Sequence, residues 1–210
     1  IYDEETLKMI ADIAREKDLW IIFDEIYERL VYGPAKHVNI LNVAPDLRDR
    51  VIIINGASKA YAMTGWRIGY ALAPKPLIAK MNTLQTHLTS NASSIAQWAA
   101  WGAVKDADPD VEKMRQAFEE RRGVILGLVR DMPYVKVRDP EGAFYIFIDV
   151  RESPIPDDMV FCEKLLEEKF VAAVPGAAFF APGFIRFSYA CSMENIREGM
   201  GRLKEFLSSL

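Results

Sequence analysis

Cysteine and histidine are scarce in this chain. Its 210 residues include two cysteines, Cys162 and Cys191, and two histidines, His37 and His87. The cysteines stand far apart and outside any Cys-x-x-Cys spacing, so neither a disulfide framework nor a zinc site is indicated. Cys162 falls in the apolar stripe of a predicted helix and reads as packing. The histidines are isolated. A transition-metal centre wants clustered ligands, and a Ser-His-Asp triad wants a strand-turn-helix elbow. No metal site is therefore expected. Long apolar runs are also missing, since none nears the ~18 residues that would span a membrane. There is no arginine-rich arm, signal peptide or lipidation motif in these residues. Positive charge is not in excess. The 26 Lys and Arg face 30 Asp and Glu, a net charge of −4, which argues against a protein dedicated to nucleic-acid phosphates. Internal repeats and low-complexity linkers are absent as well.

What remains is an ordinary globular composition, 50% hydrophobic, 11% aromatic and 27% charged, with enough length for a real core. The first residue is Ile1, and Tyr2-Asp3-Glu4-Glu5 runs straight into a helical pattern. That start is expected to lie inside a longer chain. Asp3 to Asp18 predicts a helix, with Asp3 as cap and Leu7, Ile10, Ala11 and Ala14 as its stripe. Leu19–Phe23, closed by Asp24, and Val51–Ile54, closed by Asn55-Gly56, read as short buried strands. Arg67–Ala73 reads as a third. Helices are predicted at Lys75–Gln85, Ser93–Val104 and Pro109–Met132. Beyond Pro133 the pattern changes. Strands are predicted at 135–137, 144–150 and 185–189, with helices at 157–169 and 193–209. An α/β layer followed by a smaller α+β domain is the expected architecture, with the long helix as connector.

The charged residues at strand ends carry the chemistry. Asp24 directly follows Trp20-Ile21-Ile22-Phe23, and Lys59 lies five residues past Ile54. Ligands of open α/β sheets bind beyond the carboxyl ends of strands. Two adjacent parallel strands would present an acid and an amine to one crevice. Asp24 also reads as a turn or cap residue, and Lys59 as a solvated loop lysine. Burying either unpaired is costly. A cationic ring that pairs with the acid, while the amine bonds it covalently, would satisfy both. The stretch from Asn55 to Tyr70 is dense in small residues, hydroxyls and cations. Small residues let backbone amides approach an anion, and a guanidinium grips phosphate in bidentate fashion. A tight crossover between strands is the other reading of that stretch.

The run from Gly56 to Gly69 resembles the lysine signature of the class I/II, fold type I aminotransferases that use pyridoxal 5′-phosphate. Phe23-Asp24-Glu25-Ile26-Tyr27 resembles the family's Asp-x-x-Tyr, and Ile185-Arg186-Phe187-Ser188 resembles its late arginine strand. Ala62 to Tyr70, with Ser90, Asn91 and Gln97, is most similar to the bacterial aspartate/prephenate branch. The resemblance covers essentially the whole chain in order. It implies the C-terminal part of a three-layer α/β/α cofactor domain (residues 1–108), a connecting helix (109–132) and a small α+β domain (133–210).

The resemblance also implies roles. Lys59 would form a Schiff base with the cofactor and then move the substrate's Cα proton, since imine formation and cationic neighbours help an amine whose usual pKa is ~10.4. Asp24 would keep the pyridine nitrogen protonated, so that the ring acts as an electron sink. Tyr27 would bond the ring's phenolic oxygen. Arg67 and Ser58 would hold the phosphate, and Arg186 would fix the substrate α-carboxylate, such orientation being a large part of rate enhancement. The implied activity transfers an amino group from an L-amino acid to a 2-oxo acid. The implied setting is cytoplasmic, as a homodimer with its active site at the interface, without nucleic acid or membrane.

Several positions stay open or depart from the pattern. Many relatives carry a hydroxyl three residues before the lysine, where this chain has Gly56. Asn91 and Tyr189 read either as pocket-lining residues or as a cap and core packing. Glu25 reads as a surface or loop acid, and Phe144 and Tyr145 as packing of the small domain. The family's glycine-rich phosphate turn, stacking aromatic and ring-contacting asparagine belong to earlier segments. The expectation is thus a C-terminal portion with an exposed sheet edge, which self-associates and turns over weakly by itself. A C–S lyase or decarboxylase on the same fold is an alternative activity, and a cofactor-sensing domain of a transcription regulator is an alternative role.

Overall fold

The computed structural model describes residues 1–210, which divide into two compact units, Ile1–Arg115 and Gln116–Leu210. The first unit opens with α1 (Glu4–Glu16). Asp3 caps it by accepting the Thr6 N–H at 2.8 Å, Glu4 and Glu5 occupy the positive end, and Arg15 the negative end. Leu7, Ala11 and Ala14 form the buried stripe. They pack into one core with Ile40, Ala44, Leu47, Val51 and Ile53. Ile40 belongs to α2 (Ile40–Val43), a short helix capped by Asn39 and followed by a 3₁₀ turn at Pro45–Arg50.

Three strands form the sheet of this unit: β1 (Ile21–Asp24), β2 (Val51–Gly56) and β3 (Gly69–Leu72), in that order. β1 and β2 run parallel, with Ile21 opposite Val51 and Asp24 opposite Ile54. β3 returns antiparallel, with Asn55 opposite Tyr70 and Gly56 opposite Gly69. β2 is the enclosed strand. β1 departs from its expected full burial, because its side chains alternate and Ile22 is 71% exposed. β3 starts later than expected, since Arg67 adopts a left-handed conformation before it. Three helices follow: α3 (Lys75–Leu88), α4 (Ser94–Asp106) and α5 (Asp108–Arg130). α3 and α4 keep large apolar residues exposed, among them Leu84, Leu88, Ile95, Trp98 and Trp101. α5 runs across the division between the units. No helix is long and apolar enough to cross a membrane.

The second unit is a four-stranded antiparallel sheet ordered β4-β5-β7-β6. Its strands are β4 (Lys136–Val137), β5 (Tyr145–Asp149), β6 (Val174–Pro175) and β7 (Phe184–Ser188). Two helices accompany it, α6 (Asp158–Lys169) and α7 (Met193–Ser209), capped by Asp157 and Ser192. Strand alternation sends Ile146, Ile148, Ile185 and Phe187 into the core. Phe161 and Phe206 meet there edge to face at 5.2 Å. Cys162 is buried in the same unit, and burial pushes its thiol up to about 11, as suits packing rather than chemistry. Tyr189 is fully buried and its hydroxyl donates to the Ala143 carbonyl at 3.2 Å, so the core reading holds for it.

Asp158 anchors the segment between β6 and β7. This buried carboxylate accepts from the Ala177 N–H at 2.7 Å and the Gly183 N–H at 2.9 Å. Burial alone would raise its pKa, but these backbone donors outweigh that and hold it below the ordinary carboxylate value. Removing it strands two amides, at about 1–3 kcal/mol each. A depressed carboxyl stabilises fully above the unfolded pKa of about 3.9 and loses that contribution as pH falls through its folded value. Asp158→Ala is therefore expected to lose at least ~1–3 kcal/mol in urea unfolding near neutral pH, and the gap to the parent should narrow in acid. An equal gap at both pH values would contradict this account.

Candidate active site

Because β1 and β2 are parallel neighbours, their carboxyl ends open on the same edge of the sheet. Asp24 is the last residue of β1 and is exposed. One of its oxygens, Oδ1, accepts from the Ile26 N–H at 3.0 Å. The residue is thus the turn former that one reading gave it, and Oδ2 is left for another donor. The chain then turns through residues 25–29, where the Leu30 N–H donates to the Tyr27 carbonyl. Tyr27 and Lys59 meet in this unit, with Lys59 Nζ 5.9 Å from the centre of the Tyr27 ring. Lys59 sits in the turn just past β2, where the Tyr61 N–H reaches back to the Ala57 carbonyl and the Ala62 N–H to that of Lys59. Ser58 and Lys59 are half-buried.

The small residues of this loop have a steric cause. A Cβ on Gly56 would lie 2.9 Å from the Gly69 Cα and 2.9 Å from the Ile68 carbonyl oxygen. β2 and β3 approach so closely there that a side chain at Gly56 would force backbone to shift, while Gly69 is tight at 3.1 Å from the Asn55 carbonyl oxygen. The glycine that stands where many relatives carry a hydroxyl thus fits the close approach of the two strands. Arg67 follows in a left-handed turn (φ 53°), with one guanidinium nitrogen, Nη1, donating to the Thr64 carbonyl at 2.7 Å. The rest of that exposed side chain faces solvent.

Other expected positions fall differently. Asn91 lies exposed in the turn after α3. Glu25 is buried rather than a surface acid. Its Oε1 lies 2.5 Å from His37 Nε2 and accepts from Asn39 Nδ2 at 2.8 Å. Sequence reading missed this tie because its partners lie 12 and 14 residues away. Glu28 adds a ligand atom within 4.8 Å of those of Glu25 and His37. Arg186 belongs to the second unit, on β7 opposite Phe147. Phe179 escaped sequence reading altogether. Its ring centre lies 4.2 Å from the Arg186 guanidinium carbon, and that of Tyr145 lies 4.3 Å away.

The donor set suits a phosphorylated pyridine aldehyde. It offers an open carboxylate for a ring N–H, an amine beside a phenol, and a glycine-flanked turn with a cation for an anion. Among known proteins, the profile of the family "Aminotransferase class I and II" matches residues 1–203. The chain belongs to that family. This aminotransferase-family chain is 43% identical to the aspartate aminotransferase of Geobacillus stearothermophilus, over 100% of its own length and 54% of that protein. Among solved structures it resembles the aspartate aminotransferase of Thermotoga maritima, with TM-score 0.90 and 41% identity, over 99% of this chain and 53% of the other. The aromatic aminotransferase of Pyrococcus horikoshii gives TM-score 0.95 and 36% identity, over 100% and 56%. The chain thus spans about half the length of the relatives it matches. The fold type I expectation holds for the family member.

The steric account predicts a contrast between two glycines of the loop. Gly56→Ala is expected to cost about 1–3 kcal/mol, because backbone must move. Gly65, where nothing lies within 4 Å of an added Cβ, should tolerate alanine within about 0.5 kcal/mol. Thermal unfolding of both variants tests this, and similar losses at the two sites would refute it.

Proposed function

We propose that this chain carries the reacting lysine of a pyridoxal 5′-phosphate-dependent aminotransferase, which moves an amino group from an L-amino acid to a 2-oxo acid. The observation that carries the reading is the shared edge of β1 and β2, with Asp24 at the end of one strand and the Lys59–Tyr27 pair beyond the other. When bound, the cofactor supplies an aldehyde for amines and a ring that accepts electrons from the substrate's α-carbon.

The chain's own residues then divide the work. Asp24 offers its open oxygen to the pyridine N–H and keeps that proton in place. Lys59 would hold the cofactor through its aldehyde, and its amine would serve as the base that takes and returns the proton at the substrate's Cα. Tyr27 supplies a phenol hydroxyl for the ring oxygen. Ser58 and Arg67 hold the phosphate, with Arg67 braced by the Thr64 carbonyl. Arg186 fixes the substrate α-carboxylate as a planar fork. A homodimer that completes the site at its interface belongs to this reading. So does a cytoplasmic setting, in keeping with two unpaired cysteines.

The test combines trapping and turnover. After incubation with pyridoxal 5′-phosphate and borohydride, peptide mapping should find the adduct on Lys59 and none in Lys59→Ala. L-aspartate with 2-oxoglutarate is the first pair to assay, given the names of the relatives, and glutamate should appear. Asp24→Ala should keep the adduct and lose turnover by about a hundredfold or more. An adduct elsewhere would overturn the reading. Pyruvate and ammonia without glutamate would replace it with a lyase.

A further inference from the structure

The half-buried face of the second sheet has an unusual composition. Alternation places Tyr145, Phe147 and Asp149 of β5 on it, with Phe184, Arg186 and Ser188 of β7. Phe147 stacks on Phe184 at 5.3 Å and meets Phe179 edge-on at 6.1 Å. Two guanidinium groups lie among these rings, and their circumstances differ. Arg151 sits 5.0 Å from Phe184 and is gripped by Asp149 through two bonds of 2.9 and 2.6 Å. That uses the acid of this face. Arg186 has rings as its neighbours, Tyr145 at 4.3 Å and Phe179 at 4.2 Å, and no acid of the chain bonds it.

The geometry points to Tyr145 and Phe179 as positioning residues, which clamp the Arg186 guanidinium by its faces and leave its N–H edge presented to an incoming carboxylate. This rests on the carboxylate role proposed for Arg186 above. An aromatic face attracts a cation without consuming its hydrogen-bond donors. A carboxylate needs those donors in the plane of the fork, so ring contact and ligand contact do not compete. Holding the fork in one plane removes ordering that binding would otherwise require. The clamp is itself fixed. Phe179 lies between Ala177 and Gly183, the two residues whose amides Asp158 binds. Gly176 and Gly183 have no room for a Cβ, the nearest atoms being the Ala181 carbonyl oxygen at 2.2 Å and Arg151 Cγ at 2.4 Å. Tyr145 is placed by β5, diagonal to Arg186 across the ladder.

The test uses the holoenzyme and maleate, a dicarboxylate with no amino or oxo group to react. Phe179→Leu and Tyr145→Leu should each weaken maleate about tenfold and raise KM for amino donor and oxo acceptor alike. The ring-retaining variants Phe179→Tyr and Tyr145→Phe should stay within about threefold of the parent. Pyridoxal 5′-phosphate affinity and melting temperature, read on every variant, should not change. Leucine variants that bind maleate like the parent overturn the clamp. So do ring-retaining variants that lose as much as the leucine ones. Arg186→Leu separates the two layers of the argument. If it binds maleate like the parent, the carboxylate role of Arg186 fails, and the clamp with it.

Discussion

The parallel pairing of β1 on β2 is the constraint from which the site follows. Parallel neighbours cannot be joined by a hairpin, so the chain between Asp24 and Val51 must leave the sheet and return to its far end. That crossover is where Glu25, His37 and Asn39 tie together, and where Ile40, Ala44 and Leu47 join the α1 stripe in one core. The crossover turns the end of β1 outward as a tight turn, with the Asp24 carboxylate on its rim. The next strand end emerges beside it carrying Lys59. An acid and an amine 35 positions apart therefore leave the sheet at one edge because of strand direction.

The glycine pair answers a second demand of the same edge. The loop that carries the candidate ligands Lys59 and Arg67 is sharply turned where it leaves β2. β3 returns antiparallel directly against β2, so close that a side chain at Gly56 would collide with the backbone of Ile68 and Gly69. The cost is the glycine penalty in a strand and a left-handed Arg67. Residues that break local preference here do so in the loop that carries the candidate ligands, where such breaks are expected to gather.

Local signals in the sequence were strong where local physics decides. Asp3, Asp157 and Ser192 cap their helices as their side-chain chemistry dictates. Strand β2 reads correctly because it is the central strand, with one face buried and Ile52 and Ile54 half-buried on the other. β1 does not, because an apolar run looks the same whether one face or two are buried, and Ile22 turned out to be exposed. The two-residue strand β6 and the short helix α2 carry too few residues for any period to register. Motif order singles out Asp24, Lys59, Arg67 and Arg186 as candidates. Glu25 and Phe179 escape it. Their roles depend on partners distant along the chain, a buried carboxylate on His37 and Asn39, and a ring on the arginine of β7.

The second unit shows how charge on one sheet face is sorted without any change of fold. Asp149 and Arg151 are two residues apart, close enough to satisfy each other, and the arginine holds that carboxyl below its ordinary value. Had Asp149 paired with Arg186 instead, the fork would have been neutralised and its donors spent. The short local pair removes the one competitor on that face, and the rings then hold the remaining cation without bonding its hydrogens. A face that looks in sequence like packing aromatics is thus divided into a closed ion pair and an open fork. That division depends on which arginine stands next to the acid, so the spacing between Asp149 and Arg151 matters to the openness of Arg186 as much as the rings that flank it.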